Sequence, residues 1–174
     1  MTLTELLKQD VEAVYAATES LIKMVDAKKL DWKPGMGKNW MTTGQLIHHC
    51  TNACGGPVKG FVTGDWGMPE GMKPEEMPPD MMMPPAEKMP TIDSIDAARR
   101  ALAADKAVTL KHIDAVGEKN LLVRKCAAPW GGPELTLYQH INHMIGHLAQ
   151  HKAQLFYYLK LQGKDVNTMH LYGM

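Results

Sequence analysis

The chain has 174 residues, and its 19 lysines and arginines balance its 19 aspartates and glutamates, so its formal net charge is zero. This length fits one domain spanning residues 1–174, and the neutral charge gives no reason to expect a nucleic-acid or membrane-surface partner. No apolar run reaches the roughly 18 residues of a membrane span, and the start MTLTELLKQDVEAV is typical of an amphipathic helix rather than a signal peptide. The three cysteines, Cys50, Cys54 and Cys126, lack disulfide-framework spacing, so we expect reduced thiols in a cytoplasmic protein.

The first predicted helix runs from Thr4 to about Lys29, where apolar residues recur with helical period. Thr2 and Glu5 have the spacing of a capping box at its start. Residues 32–39, WKPGMGKN, contain one proline and two glycines and are typical of a connection.

A second helix is predicted over residues 44–63, with Thr42 or Thr43 as its N-cap. Gly55, Gly56 and Pro57 interrupt its pattern. We therefore expect either a kink near Pro57 or an early end of the helix.

Residues 64–90 contain seven of the eleven prolines and half of the fourteen methionines. This composition predicts a long irregular loop between the second and third helices. The loop is interpreted either as an extended surface excursion or as a cover, since flexible methionine side chains can pack over an apolar binding mouth.

The third helix is predicted over residues 91–116, with Thr91, Asp93 or Ser94 as its N-cap and Gly117 as its C-cap. Residues 121–125, LLVRK, fit a short strand, and PWGGPELT fits a turn. Thr136 is the predicted N-cap of a fourth helix over residues 138–161. Four long helices in one domain predict an all-α protein of the four-helix bundle class.

Histidines are concentrated in the fourth helix, where His143, His147 and His151 follow each other at intervals of four residues and His140 precedes them. Such spacing places imidazoles on one helix face, as expected for a metal site or a polar cavity. The second helix offers His48 or His49 as a third ligand, but not both, because adjacent side chains point about 100° apart. Three histidines would leave an open coordination position. Ordinary solvated or hydrogen-bonded histidines are the alternative.

Several segments together resemble the DinB family of small four-helix bundle proteins. The matching pieces are Trp40 with TTGQLIHHC, then PWGGPELTL, HLAQHKAQL and YLKLQGKDV. The resemblance implies a bundle of up-down-down-up style, with a divalent metal held by one histidine of the second helix and a His-x3-His pair of the fourth. By position these ligands are His49, with His48 as the alternative, and the pair His147 and His151.

The residues around this pair leave further alternatives. The family often has Arg-Gly-Gln after the last ligand, whereas His151 is followed by Lys152, Ala153 and Gln154. His140 and His143 could orient a ligand or a bound water, although His140, close to the helix start, is expected to be solvated.

Cys50 and Cys54 are four residues apart in the second helix, and Cys50 adjoins His49. One of these thiolates could ligate a metal. We expect instead that both cysteines are buried on an apolar face.

The function predicted from this pattern is a metal-dependent enzyme with an open tri-histidine site. The resemblance implies a transferase or isomerase that uses a low-molecular-weight thiol, or a hydrolase, in a homodimer. Zinc or nickel is the expected metal, and iron also fits. No catalytic residue is assigned, because the sequence contains no nucleophile motif and no acid/base pair stands out. The alternatives are a non-catalytic, stress-related metal-binding or structural dimer and a dimerisation module whose metal site is vestigial.

Overall fold

The fold is built almost entirely from helices, which confirms the all-α prediction. The computed structural model describes residues 1–68, 78 and 84–174. The described α-helices are α1 (Leu3–Lys23), α2 (Thr43–Cys50), α3 (Gly55–Thr63), α4 (Ile95–Val116), α5 (Glu118–Val123), α6 (Leu137–Leu161) and α7 (Thr168–Tyr172). Short 3-10 helices span Ala27–Lys29 and Ala86–Lys88. Strands β1 (Lys125–Cys126) and β2 (Leu135–Thr136) form one antiparallel pair.

Polar side chains begin the long helices as the sequence predicts. Thr2 and Glu5 form a reciprocal capping box on α1. Thr42, rather than Thr43, caps α2, and Ser94 caps α4. Thr136 caps α6, where its hydroxyl accepts from the N–H of Gln139. These caps satisfy N–H groups that have no partner inside the helix, and so they fix where each helix starts.

The predicted second helix is interrupted well before Pro57. Helix α2 ends at Cys50, and α3 begins at Gly55 after a short turn. The expectation of an early end is therefore confirmed, whereas a single helix over residues 44–63 is wrong. Since the backbone N–H groups of Cys54 and Gly55 bond to the carboxylate of Asp105 in α4, the start of α3 is fixed by a tertiary contact.

Other boundaries also differ from the prediction, and the third predicted helix begins at Ile95 instead of residue 91. Helix α1 ends at Lys23 instead of near Lys29, and the Asp26 carboxylate then caps the 3-10 turn Ala27–Lys29. Most of the predicted strand over residues 121–125 is helical and belongs to α5, with only Lys125 in β1. The C-terminal tail, for which no element was predicted, contains α7.

One continuous core joins the helices. Helix α1 packs against α4 and α6, α2 packs against α6, and α3 packs against both α4 and α6. The largest side chains with almost no exposed surface are aliphatic: Leu7, Leu21, Ile22, Leu46, Ile47, Ile113, Leu121, Leu137, Ile141, Leu148, Leu155 and Leu159. Removing this apolar surface from water is the main stabilising term, at roughly 25 cal/mol per Å². Among the described helices, none has the length and apolarity that a bilayer crossing requires.

Residues 69–77 and 79–83 of the predicted Met/Pro-rich loop lie outside the described residues. The described end of this segment contains the 3-10 turn Ala86–Lys88, and the amide of Gln45 donates to the carbonyl oxygen of Met89 at 2.8 Å. This end of the segment is thus attached to the first turn of α2, the helix that carries His48 and His49.

Candidate metal centre

Three histidines from two helices converge on one point. The Nε2 atom of His147 lies 3.2 Å from Nε2 of His49 and 2.8 Å from Nε2 of His151. One nitrogen from each ring lies within 4.8 Å of the others, which is close enough for all three to contact one ion. Each ring is half-buried, between solvent and core.

Local sequence explains why these rings meet. His147 and His151 are one turn apart on α6, so both side chains lie on one face of the helix. Helix α2 packs against α6, and the Thr42 capping box fixes where α2 begins. In this arrangement His49 reaches the pair on α6, while His48, rotated by about 100° around α2, lies outside the cluster.

A hydrogen bond at the far side of one ring determines which of its nitrogens carries the proton. Nδ1 of His151 lies 2.7 Å from Oε1 of Gln154, and because an amide oxygen only accepts, Nδ1 carries the hydrogen. The His151 ring therefore directs the lone pair of its Nε2 atom at His147 and the centre of the cluster.

Burial keeps the three rings neutral near pH 7. It lowers the pKa of His49 to about 4, with further lowering from the neighbouring charges of His151, His147 and His48. Burial also lowers the pKa of His147, against the raising effect of the Ala53 carbonyl. The pKa of His151 is lowered by burial too, although its bond to Gln154 opposes the shift. Neutral imidazole is the form that binds metals.

The arrangement fits a divalent transition metal ion. Zinc–nitrogen bonds of 2.0–2.1 Å at tetrahedral angles would place two ligand nitrogens about 3.4 Å apart. The observed separations of 2.8 Å and 3.2 Å need only a small opening of the cluster to reach this value. A cation at this point would be within reach of one nitrogen from each of the three rings.

The remaining histidines of the row have different environments. His143 is exposed on α6 and is not part of the cluster. His140 is 3% exposed, donates from Nε2 to the carbonyl of Cys126 at 2.8 Å and stacks on Phe61. The expectation that His140 is solvated is therefore wrong, because the β1 segment folds back over the start of α6. This histidine ties that segment to the helix core.

The cysteines of the second helical segment are structural. Cys50 and Cys54 are both fully buried and free, which confirms the expectation of an apolar environment. Burial raises the pKa of each thiol to about 12. Sγ of Cys54 donates to the carbonyl of Met144 in α6. Neither thiol belongs to the histidine cluster.

A buried polar network supports the turn between α2 and α3. The carboxylate of Asp105 accepts from the hydroxyl of Tyr15 at 2.5 Å and from the N–H of Gly55 at 2.8 Å. Burial raises the pKa of Asp105, and these hydrogen bonds oppose the rise. A Cβ at Gly55 would lie 2.5 Å from Oδ1 of Asp105, so only glycine fits this contact. The turn that holds the Ala53 carbonyl beside His147 is therefore fixed from the opposite side.

Two supporting residues were not found from the sequence. Gln154 lies three residues after His151, a spacing at which helical side chains meet. Asp105 is a carboxylate within the apolar stripe of α4, among Ala98, Leu102, Thr109 and Ile113. A charged residue at a core position is itself a signal, because a buried carboxylate requires hydrogen-bond donors.

These features define an all-α protein with a candidate tri-histidine metal centre between two helices. The chain belongs to the DinB superfamily, whose family model matches residues 10–155. The match includes all three histidines of the cluster and confirms the family resemblance seen in the sequence. A search of curated proteins finds none that matches the chain.

Proposed function

We propose that this chain binds one divalent transition metal ion through His49, His147 and His151. The observation that carries the proposal is the convergence of three Nε2 atoms from α2 and α6. We further propose that the domain, residues 1–174, is a four-helix bundle of the DinB type. In it α1, α4 and α6 supply three helices, and α2 and α3 together occupy the position of the remaining one.

The activity we propose is a metal-dependent thiol transfer or isomerisation, with hydrolysis as the other reaction of this class. A divalent ion supplies Lewis-acid chemistry, which stabilises the anionic form of a bound thiol or water. Three protein ligands leave a coordination position for substrate. The chain's own part is to orient the His151 ring through Gln154 and to keep the three rings neutral by burial. Zinc or nickel is the proposed metal, with iron as a further candidate.

A non-catalytic role is the second candidate, and the position of the ligands favours it. His49 lies on α2, whereas His147 and His151 lie on α6, so a shared ion would crosslink two helices. A stress-related structural metal site would stabilise the fold without turnover. Metal binding stabilises the folded state by mass action, by about 4.1 kcal/mol when the metal is a thousandfold above its Kd.

Metal content tests the proposal directly. The purified protein and a His147→Ala/His151→Ala double variant would be reconstituted with zinc or nickel and analysed by mass spectrometry. We expect close to one equivalent in the wild type and none in the double variant. His143→Ala, on the exposed face of the same helix, is the matched control and should keep its metal. His48→Ala and His49→Ala should differ, with loss of metal only in the second.

A screen of low-molecular-weight thiols separates the two functions. Glutathione, bacillithiol and mycothiol would be offered to metal-loaded and metal-stripped protein together with an electrophile. Turnover that requires the metal supports the enzyme. A large rise in Tm with metal and no turnover supports the structural role. We also propose a cytoplasmic homodimer, on the basis of the family and the free thiols, and light scattering would test the oligomeric state.

A further inference from the structure

A large cavity opens beside the histidine cluster. Its volume is about 760 Å³, and His49 and His147 form part of its wall. Met41, Met89 and Met144 contribute flexible side chains, Trp130 contributes an aromatic ring, and prolines supply much of the remainder. Cavities of about 300–1,000 Å³ with mostly apolar walls are the usual binding sites of small molecules.

The wall of this cavity carries no charged side chain among the described residues. Its polar groups besides the histidines of the cluster are His48 and two asparagines, Asn39 and Asn52. In the metal-free protein, an ionised ligand would lose its hydration here without meeting an opposite charge from these residues, which is strongly unfavourable. Away from the metal ligands, the described wall of the cavity therefore favours uncharged groups.

The apolar residues favour an aromatic ligand. Thioether sulfurs are polarizable and make favourable contacts with aromatic rings, and methionine side chains adapt to different shapes. The Trp130 ring packs edge-to-face against Phe61 and Trp66, at centroid distances of 5.7 Å and 5.9 Å. Trp130 is still 43% exposed, so its ring has surface left for a ligand.

We propose that this cavity binds an uncharged aromatic molecule, with a single polar atom of that molecule directed at His49 and His147. The inference deepens the proposed function, since it rests on the same site and names its substrate class. In a thiol-dependent reaction the cavity would hold the apolar co-substrate, and the charged thiol would approach from elsewhere.

A matched pair of fluorescent probes tests the charge preference. N-phenyl-1-naphthylamine is uncharged, and 8-anilinonaphthalene-1-sulfonate has the same aromatic body with an added sulfonate. Both would be titrated into the metal-free protein, with emission as the readout. We expect saturable binding of one uncharged probe per chain, at least about tenfold tighter than the anionic probe, because the sulfonate meets no counter-charge from the described wall of the metal-free cavity. Equal binding of both probes, or no saturable binding of the uncharged one, would overturn the inference.

Variants locate the probe in the cavity. Met89→Glu adds a carboxylate to the wall, and Ala86→Trp fills the cavity without adding charge. Each should weaken binding of the uncharged probe by at least about fivefold, since the first adds a group that must be desolvated and the second removes volume. Met169→Glu, at an exposed site of α7, is the control and should bind like the wild type. Unchanged binding in both cavity variants would contradict the assignment.

The experiment distinguishes this inference from the proposed metal function. Probe binding is measured in the metal-free wild type, and metal content is measured without the probe. If the metal-free wild type binds the uncharged probe but takes up no metal on reconstitution, only the metal proposal fails. If metal binds and the uncharged probe does not, only the cavity inference fails.

Discussion

Gln154 provides the sharpest test of how the candidate centre works. Its Oε1 accepts a hydrogen bond of 2.7 Å from Nδ1 of His151, which leaves Nε2 unprotonated and fixes the ring plane. The Gln154→Leu variant loses the hydrogen-bond acceptor but keeps a side chain of similar size that also suits a helix. His151 can then rotate or carry its proton on Nε2, so part of its population no longer presents a lone pair to the metal.

The expected loss of zinc affinity follows from the structure. Partners that orient a metal-ligating histidine typically contribute about 10- to 100-fold in affinity. Gln154 is exposed on α6, and water can replace part of its hydrogen bond. We therefore expect Gln154→Leu to lose zinc affinity near the lower end of this range, by about tenfold or 1.4 kcal/mol. Gln154→Glu keeps an acceptor and adds negative charge, so it should bind zinc at least as tightly as the wild type.

Competition with a chromophoric chelator would measure zinc affinity for these variants. Gln150→Leu is the matched control, since Gln150 is an exposed glutamine on the same helix that is adjacent to His151 in sequence. If Gln154→Leu bound zinc within about twofold of the control, the orienting role would be refuted. A change that small is well below the effect of hydrogen-bond partners that orient metal-ligating histidines in other proteins. Comparable losses in both glutamine variants would point to a general effect on α6.

Three further predictions concern stability. Burial lowers the pKa of His49 from 6.5 to about 4. Between these pH values the unfolded chain therefore binds a proton at His49 that the folded, metal-free protein does not bind. Stability should therefore fall as the pH drops from 6.5 towards 4, and His49→Gln should flatten this dependence in urea titrations. Asp105→Ala leaves the Tyr15 hydroxyl and the Gly55 N–H without their acceptor, so urea unfolding should show a loss of about 3 kcal/mol. His140→Ala should cost about 2 kcal/mol through lost packing and a lost hydrogen bond, with zinc affinity unchanged.

For each of these three predictions, one result would contradict it. If the stability of His49→Gln depended on pH as that of the wild type does, burial of the His49 ring would not be the source of the pH dependence. Asp105→Ala with wild-type stability would mean that water satisfies the donors of the α3 turn. A marked loss of zinc affinity in a well-folded His140→Ala variant would show that His140 contributes to metal binding.

The helix starts were predictable because their determinants are local. A threonine hydroxyl that caps a helix acts within three residues, so the capping box of Thr2 and Glu5 could be identified from its spacing, and Thr136 could be proposed as a cap. The break between α2 and α3 was only partly predictable. Glycines near residue 55 indicated a weak point, but the place of the new start depends on Asp105, which lies fifty residues later in α4.

The candidate site divides in the same way. The pairing of His147 with His151 follows from the helical repeat, so it could be predicted from the sequence alone. The choice between His48 and His49 depends on the rotation of α2 against α6, which is set by core packing and by the cap at Thr42. The burial of His140 depends on the β1 segment folding over α6, a contact between residues fourteen positions apart.

The break in the second helical segment joins the metal cluster to the apolar cavity. His49 lies in the last turn of α2, before the break, and Pro57 lies in α3, after it, and both residues line the cavity. Asp105 holds the turn from the core side. A substitution at Gly55 should therefore affect both properties, with Gly55→Ala lowering stability, zinc affinity and binding of the uncharged probe together, whereas Gly56→Ala, which has open space for a Cβ, should alter none of them.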